Sequence, residues 1–278
     1  MDDGSPTGSP TGYVLGNDDP ALARLDALSR VYAAATAAWL DAAGLAPGPS
    51  VVDLGCGTGA VTLAAAERVG PTGRVVGVDT APQPLEVARR RAAAAGHRGV
   101  VLEQADVTTW EPPGPVDAVL GRLVLMHLPD PVALLARLAR AVRPGGVVAF
   151  QEVVLSTRAA SPPLPLLTAF NGWLLTTLGR LGVPADLGLR LGAVFRAAGL
   201  PDPALVTGQP LERGGDASGW SIVGGDVTAL AGAFERTGTV SAAEVGPADF
   251  EQRLRAQAAS AGAVLVDPLV VGAVARLP

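Results

Sequence analysis

The chain has 278 residues, of which 49% are hydrophobic and 17% charged, a balance that allows a sizeable core and excludes a disordered chain. Its formal net charge is −5 and all 21 basic residues are arginine; the only basic cluster, Arg89-Arg90-Arg91, reads as a solvated helix face, so no nucleic-acid partner is expected. Cys56 is the single cysteine, which excludes an intramolecular disulfide and a cysteine-rich metal site, and no apolar run reaches the ~20 residues of a membrane span.

Residues 1–12 are mostly Gly, Ser, Pro, Thr and Asp and read as a loose arm that ends by residue 19. The start, Met1-Asp2-Asp3, has neither a basic region nor an apolar signal core, so export is not expected and a cytoplasmic location fits. From Pro20 to Ala43, Leu22, Leu25, Leu28, Val31, Ala35 and Trp39 recur at three- and four-residue steps, which predicts a helix with Trp39 in the core. Proline suits its first turn, and Gly44 and Pro47 close it. Ser50–Leu54 is a short apolar strand running into glycines. A helix over 60–68, a strand at Arg74–Val78, a helix at Pro84–Ala95 and a strand at Val100–Glu103 follow. A strand at Asp117–Leu120, a helix at Pro131–Val142 and a strand at Gly146–Glu152 complete the run.

Strands alternating with helices at this spacing predict an α/β fold, a doubly wound Rossmann-like sheet. The strands lack polar alternation, as when both faces are covered. Beyond Glu152 the pattern changes. A sixth strand at Ala204–Thr207 and a last strand at Leu269–Ala275 are separated by helical patterning around Trp220–Glu235 and Asp249–Ala261. The expected organisation is an arm (1–19), a ligand-binding core (20–154), and a remainder of the same domain (155–278). That remainder carries helical cap insertions at about 155–200 and 214–262. The sheet should have seven strands.

The strongest local signal is Asp53-Leu54-Gly55-Cys56-Gly57-Thr58-Gly59 at the carboxyl end of the first strand. Alternate glycines let the backbone turn sharply and approach a ligand, and open α/β sheets bind ligands at that end. Gly55, Gly57 and Ala60 also fit the dinucleotide pattern, so the turn alone leaves a nicotinamide oxidoreductase open. Asp79 ends the second strand, where a carboxylate accepts hydrogen bonds from ribose hydroxyls in either reading. Asp106, in Ala105-Asp106-Val107 after the third strand, can accept from an adenine amino group. A nicotinamide enzyme does not account for Asp106 together with Arg143-Pro144-Gly145-Gly146.

With these features the sequence resembles the class I S-adenosylmethionine-dependent methyltransferases, over most of the chain and most clearly over residues 13–152. It is similar to the small-molecule branch, through Tyr13-Val14-Leu15-Gly16, through Gly121-Arg122-Leu123-Val124-Leu125-Met126-His127-Leu128, and through Arg143–Gly146 leading into Phe150-Gln151-Glu152. The resemblance implies that the last of the seven strands is antiparallel, with S-adenosylmethionine as cofactor and S-adenosylhomocysteine as product. It implies that Gly55 and Gly57, with Cys56 between them, approach the methionine and ribose parts, and that Asp53 orients the loop and the cofactor's amino group. It further implies that Asp79 holds the ribose with Thr80 beside the adenine, that Asp106 and Val107 bracket the adenine, and that Arg122 reaches the methionine carboxylate. Tyr13 is read either as a lid over the cofactor or as an anchor for the arm.

The implied reaction is in-line methyl transfer to a small, moderately apolar acceptor, such as a secondary metabolite. Positioning can lower such a barrier by ~7–11 kcal/mol, so a base is needed only if the acceptor must lose a proton. His127, whose imidazole ordinarily titrates near neutral pH, and Glu152 are the candidates, each against a plain packing role. Trp173 and Trp220 can line an acceptor pocket or belong to the core, and His97 reads as loop. Base methylation of nucleic acid would call for an Asn/Asp-Pro-Pro-aromatic motif where Gly121–Val124 stands. A non-methylating binder of the same cofactor, or a pericyclic catalyst, would keep the whole cofactor site and stays open. Two histidines and one cysteine make no metal site. A monomer or homodimer is expected.

Overall fold

The structure, a computed structural model, describes residues 19–278, with side chains from residue 22 onward; Tyr13–Gly16 lie outside the described residues. Five strands run in order: β1 (Ser50–Leu54), β2 (Arg74–Asp79), β3 (Val100–Gln104), β4 (Val116–Arg122) and β5 (Val142–Val154). Then come β6 (Ala159–Ser161), β7 (Ala204–Gly208), β8 (Leu211–Arg213), β9 (Val264–Val266) and β10 (Leu269–Arg276). The main sheet has seven strands in the order β3-β2-β1-β4-β5-β10-β7. Strands β1 to β5 pair in parallel, and β10 is antiparallel to both of its neighbours.

Successive residues of one strand feed two different cores. Val51, Val75, Ala118, Leu120, Val147 and Ala149 face one side, with Trp39 and Leu40. Val52, Val76, Val119, Val148 and Phe150 face the other, with Leu134, Leu138 and Phe195. Both faces are buried, which is why the strands read as unbroken apolar runs. The helices are α1 (Asp19–Val31), α2 (Ala33–Ala43), α3 (Ala60–Val69), α4 (Pro82–Ala94) and α5 (Pro131–Ala139). They continue with α6 (Pro165–Arg180), α7 (Leu191–Ala197), α8 (Gly219–Arg236), α9 (Ala242–Val245) and α10 (Phe250–Ala261).

The single helix predicted over 20–43 is two helices that break at Tyr32. The break has a packing reason: α1 lies on α8, whereas α2 lies on β10 and β7 of the sheet. Tyr32 donates its hydroxyl to the Pro268 carbonyl at 3.0 Å, pinning the joint to the turn before β10. The position opposite Trp39 on β10 is Gly272, where any Cβ would run into the indole.

A third core belongs to the later segments. Leu167, Phe170, Leu174, Trp220, Val227, Leu230, Phe234, Phe250 and Leu254 join α6, α8 and α10. A small sheet of order β6-β9-β8, not predicted, supports them. The stretch 155–200 does not act as one cap: Leu187, Leu191, Val194 and Phe195 pack into the main sheet's core, while α6 joins the cap core.

Candidate functional site

The order β2-β1-β4 places the reversal of strand order at β1, the location at which open α/β sheets form their ligand crevice. There Gly55, Gly57 and Gly59 have φ of 63°, 51° and 84°, values that favour glycine. A Cβ at Gly55 would stand 2.7 Å from Val124 Cγ2, so this turn and the loop after β4 are in close contact. Asp79 ties the turn down: Gly57 donates its amide to Oδ2 at 2.8 Å, and Ala81 donates to Oδ1 at 2.9 Å. Asp53 is buried and accepts from Thr62 Oγ1 at 2.6 Å. Burial pushes the Asp53 carboxyl up to about 7 and raises Asp79 above the usual carboxylate range. The Cys56 thiol is pushed up by the same cause, which leaves it an unreactive thiol.

Asp106 closes a short turn after β3, its Oδ1 accepting from the Thr108 amide at 2.8 Å and hydroxyl at 2.7 Å. Arg122, at the end of β4, donates to Thr36 Oγ1 at 3.1 Å and Ser29 Oγ at 3.2 Å. Among the described residues it forms no ion pair. Leu123 follows with φ 54°, a left-handed conformation that costs a residue with a Cβ about 1–3 kcal/mol. Its amide donates to the Gln151 carbonyl at 2.8 Å. The next two amides, of Val124 and Leu125, donate to Glu152 Oε1 at 3.0 and 2.7 Å.

One cavity of about 700 Å³ joins these pieces. Asp53, Gly55, Cys56, Gly57, Asp79, Thr80, Asp106, Val107 and Arg122 all line it. So does His127, but burial and the nearby Arg24 push its imidazole down to about 4, well below the near-neutral range of an ordinary histidine. Glu152 does not line the cavity. It is fully buried behind the wall, and burial raises its carboxyl to about 8. Trp173 and Trp220 belong to the cap core, and neither lines the cavity. His97 sits in the turn after α4. Of the arginine run, Arg91 pairs with Asp26 at 2.7 Å, and Arg89 and Arg90 lie 3.6 Å from Glu86.

At the capped end the lining comes from residues that the sequence reading passed over. Leu174 and Leu178 of α6 and Ile222 and Leu230 of α8 make an apolar wall. Arg24, Arg158, Asp226 and Asp267 are charged residues buried beside it. One sequence signal was available: Asp226 interrupts the apolar stripe of α8 between Val223 and Val227, and an ionisable group on a buried stripe needs a partner. No group of three or more His, Cys, Asp or Glu that could hold a metal occurs among the described residues, nor is any helix there long and apolar enough to cross a membrane.

Residues 45–169 match the family model of a methyltransferase domain. Trans-aconitate 2-methyltransferase of Methylobacterium nodulans is 39% identical over 139 residues, 50% of this chain and 47% of that protein. Aklanonic acid methyltransferase of Streptomyces sp. is 42% identical over 108 residues, 38% of this chain and 49% of that protein. The matches thus span about half the length of these curated relatives. A solved structure of a putative methyltransferase from Bacillus halodurans superposes with a TM-score of 0.56, 17% identity, and coverage of 87% of this chain and 98% of that one; at that identity the likeness bears on the fold. Over residues 45–169 the chain is thus similar to a methyltransferase domain, and its fold is shared with solved methyltransferase structures.

Proposed function

We propose that the protein binds S-adenosylmethionine at the glycine-turn end of the cavity and methylates a small molecule held beneath the cap. The observation that carries this reading is the set of polar groups at that end: the carboxyl groups of Asp53, Asp79 and Asp106 and the guanidinium of Arg122 all line one cavity. This set suits a ligand with an ammonium, a ribose, an adenine amino group and a carboxylate. When bound, S-adenosylmethionine supplies a methyl group on a sulfonium, already activated for displacement. Asp79 offers the ribose the lone pairs not used by Gly57 and Ala81. Asp106 does the same for the adenine amino group from Oδ2. Arg122, held by two hydroxyls, receives the carboxylate through its remaining donors.

The protein's work is alignment and exclusion of water, since the chemistry needs little else. The apolar wall of Leu174, Leu178, Ile222 and Leu230 supplies the exclusion. A His127 imidazole at about 4 is neutral at physiological pH and a weak proton acceptor. It serves as a hydrogen-bonding group that orients the acceptor, and Glu152 serves the loop behind it. Titration calorimetry tests the reading. S-adenosylmethionine and S-adenosylhomocysteine should bind one per chain and NAD should not. No binding of S-adenosylmethionine at millimolar concentration would end it, and formation of S-adenosylhomocysteine with an acceptor panel separates transfer from silent binding.

A further inference from the structure

The far end of the cavity holds an unusual quartet. Arg24 of α1, Arg158 just before β6, Asp226 of α8 and Asp267 just before β10 are each at most 7% exposed and all line the cavity. Asp226 bridges the two cations, 3.4 Å from Arg24 Nη1 and 3.5 Å from Arg158 Nη2. Arg158 keeps donors that nothing in the cluster takes up. Its Nε and Nη1 are buried and have no hydrogen-bond partner. It is nonetheless fixed: the guanidinium lies 5.4 Å from the Phe170 ring centroid, and its carbonyl accepts from Asn171 Nδ2 at 3.0 Å.

A buried guanidinium with idle donors is expensive, because each unmade bond to a charged group forfeits its full desolvation cost. Burial raises the Asp267 carboxyl to about 7, so near neutral pH it offsets the nearby Arg158 only in part. Glu212, beside Asp267 but outside the cavity lining, is engaged by the amides of Ser218 and Gly219 at 3.0 and 2.7 Å. Tyr32 and His127 also line the cavity within electrostatic reach of the quartet, and Leu174, Leu178, Ile222 and Leu230 supply aliphatic wall.

We infer that the methyl acceptor is an amphipathic carboxylic acid, its apolar body against Leu174, Leu178, Ile222 and Leu230 and its carboxylate received by the buried guanidinium of Arg158. This rests on the reading that the cavity's other end holds the methyl donor. The acid is an anchor: it fixes the acceptor in the cavity and leaves the rest of the molecule to present the atom that is methylated. Arginine suits the role because it stays charged when buried and carries several donors.

The test uses the full chain saturated with S-adenosylhomocysteine, whose own binding is measured first by calorimetry. Failure at that step would count against the proposed function and is read separately. The probes are 4-phenylbutanoate and decanoate, each against its primary amide. The acids should bind about tenfold or more tightly than the amides, as a charge-assisted bond replaces a neutral one. Arg158→Gln should bring acid and amide to similar affinity with S-adenosylhomocysteine binding intact, and Arg158→Lys should keep part of the preference. If Arg158→Gln strands Asp226 and does not fold, the wild-type comparison and Arg158→Lys decide. Acids and amides binding alike, or neither binding the saturated protein, overturns the inference.

Discussion

Asp79 does two things with one carboxylate. It pins the glycine turn through Gly57 and reaches forward to Ala81, and it still lines the cavity with lone pairs to spare. Replacing it by alanine removes both. Bonds to a charged acceptor contribute about 1.5–3 kcal/mol each, so Asp79→Ala should weaken S-adenosylmethionine binding by about tenfold or more, read by calorimetry on a variant whose circular dichroism is unchanged. Equal affinity would mean that the ribose is held elsewhere. Asp53, by contrast, spends one oxygen on Thr62 inside the protein, a contact between residues nine apart that no spacing rule announces. Arg122 has a similar history: its hydroxyl partners lie on α1 and α2, some ninety residues earlier in the chain.

The turn after β4 depends on β5. Leu123 is left-handed and the two amides that follow it converge on Glu152. Glu152 therefore shapes a cavity wall that it does not touch from inside. Glu152→Ala would leave two buried amides unpaired, at about 1–3 kcal/mol each, and should lower the unfolding free energy by a few kcal/mol. Glu152→Gln keeps a carbonyl oxygen in the same place and should stay close to wild type in denaturant midpoint. A tolerated alanine would show that the loop holds its form unaided. The broken helix at Tyr32 teaches the same lesson: the apolar stripe of residues 20–43 was correctly legible as helical, but its two halves serve two bodies, the cap and the sheet, and only their packing decides the break.

At the scale of the whole molecule, several acids are buried with raised pKa values: Asp53 and Asp267 at about 7 and Glu152 at about 8. Each binds its proton more tightly folded than unfolded, so its stabilising contribution is full below the unfolded pKa and is lost as pH rises through the folded one. His127, lowered to about 4, acts oppositely, but only below its unfolded value near 6.5. Between pH 6.5 and about 8.5 the acids therefore dominate, and stability should fall. Denaturant midpoints at the two pH values check this, and Glu152→Gln should reduce the difference. A midpoint that rises across the window would contradict the burial of these groups.

The strands of the seven-stranded sheet and the glycine turn were legible in the sequence because their signals are local, whereas the antiparallel last strand was expected only through the family resemblance. Apolar runs of five residues, glycines at alternate positions and an acid at the end of each early strand all lie within one βα unit, and the parallel fold carries those units to the same edge. The small three-stranded sheet, the division of residues 155–200 between sheet and cap, and the quartet of Arg24, Arg158, Asp226 and Asp267 were not. Arg24 and Asp226 are 202 positions apart, and no periodicity relates them. What a buried charge is for depends on which charges, oxygens and apolar walls reach it, and that is settled when α1 packs on α8.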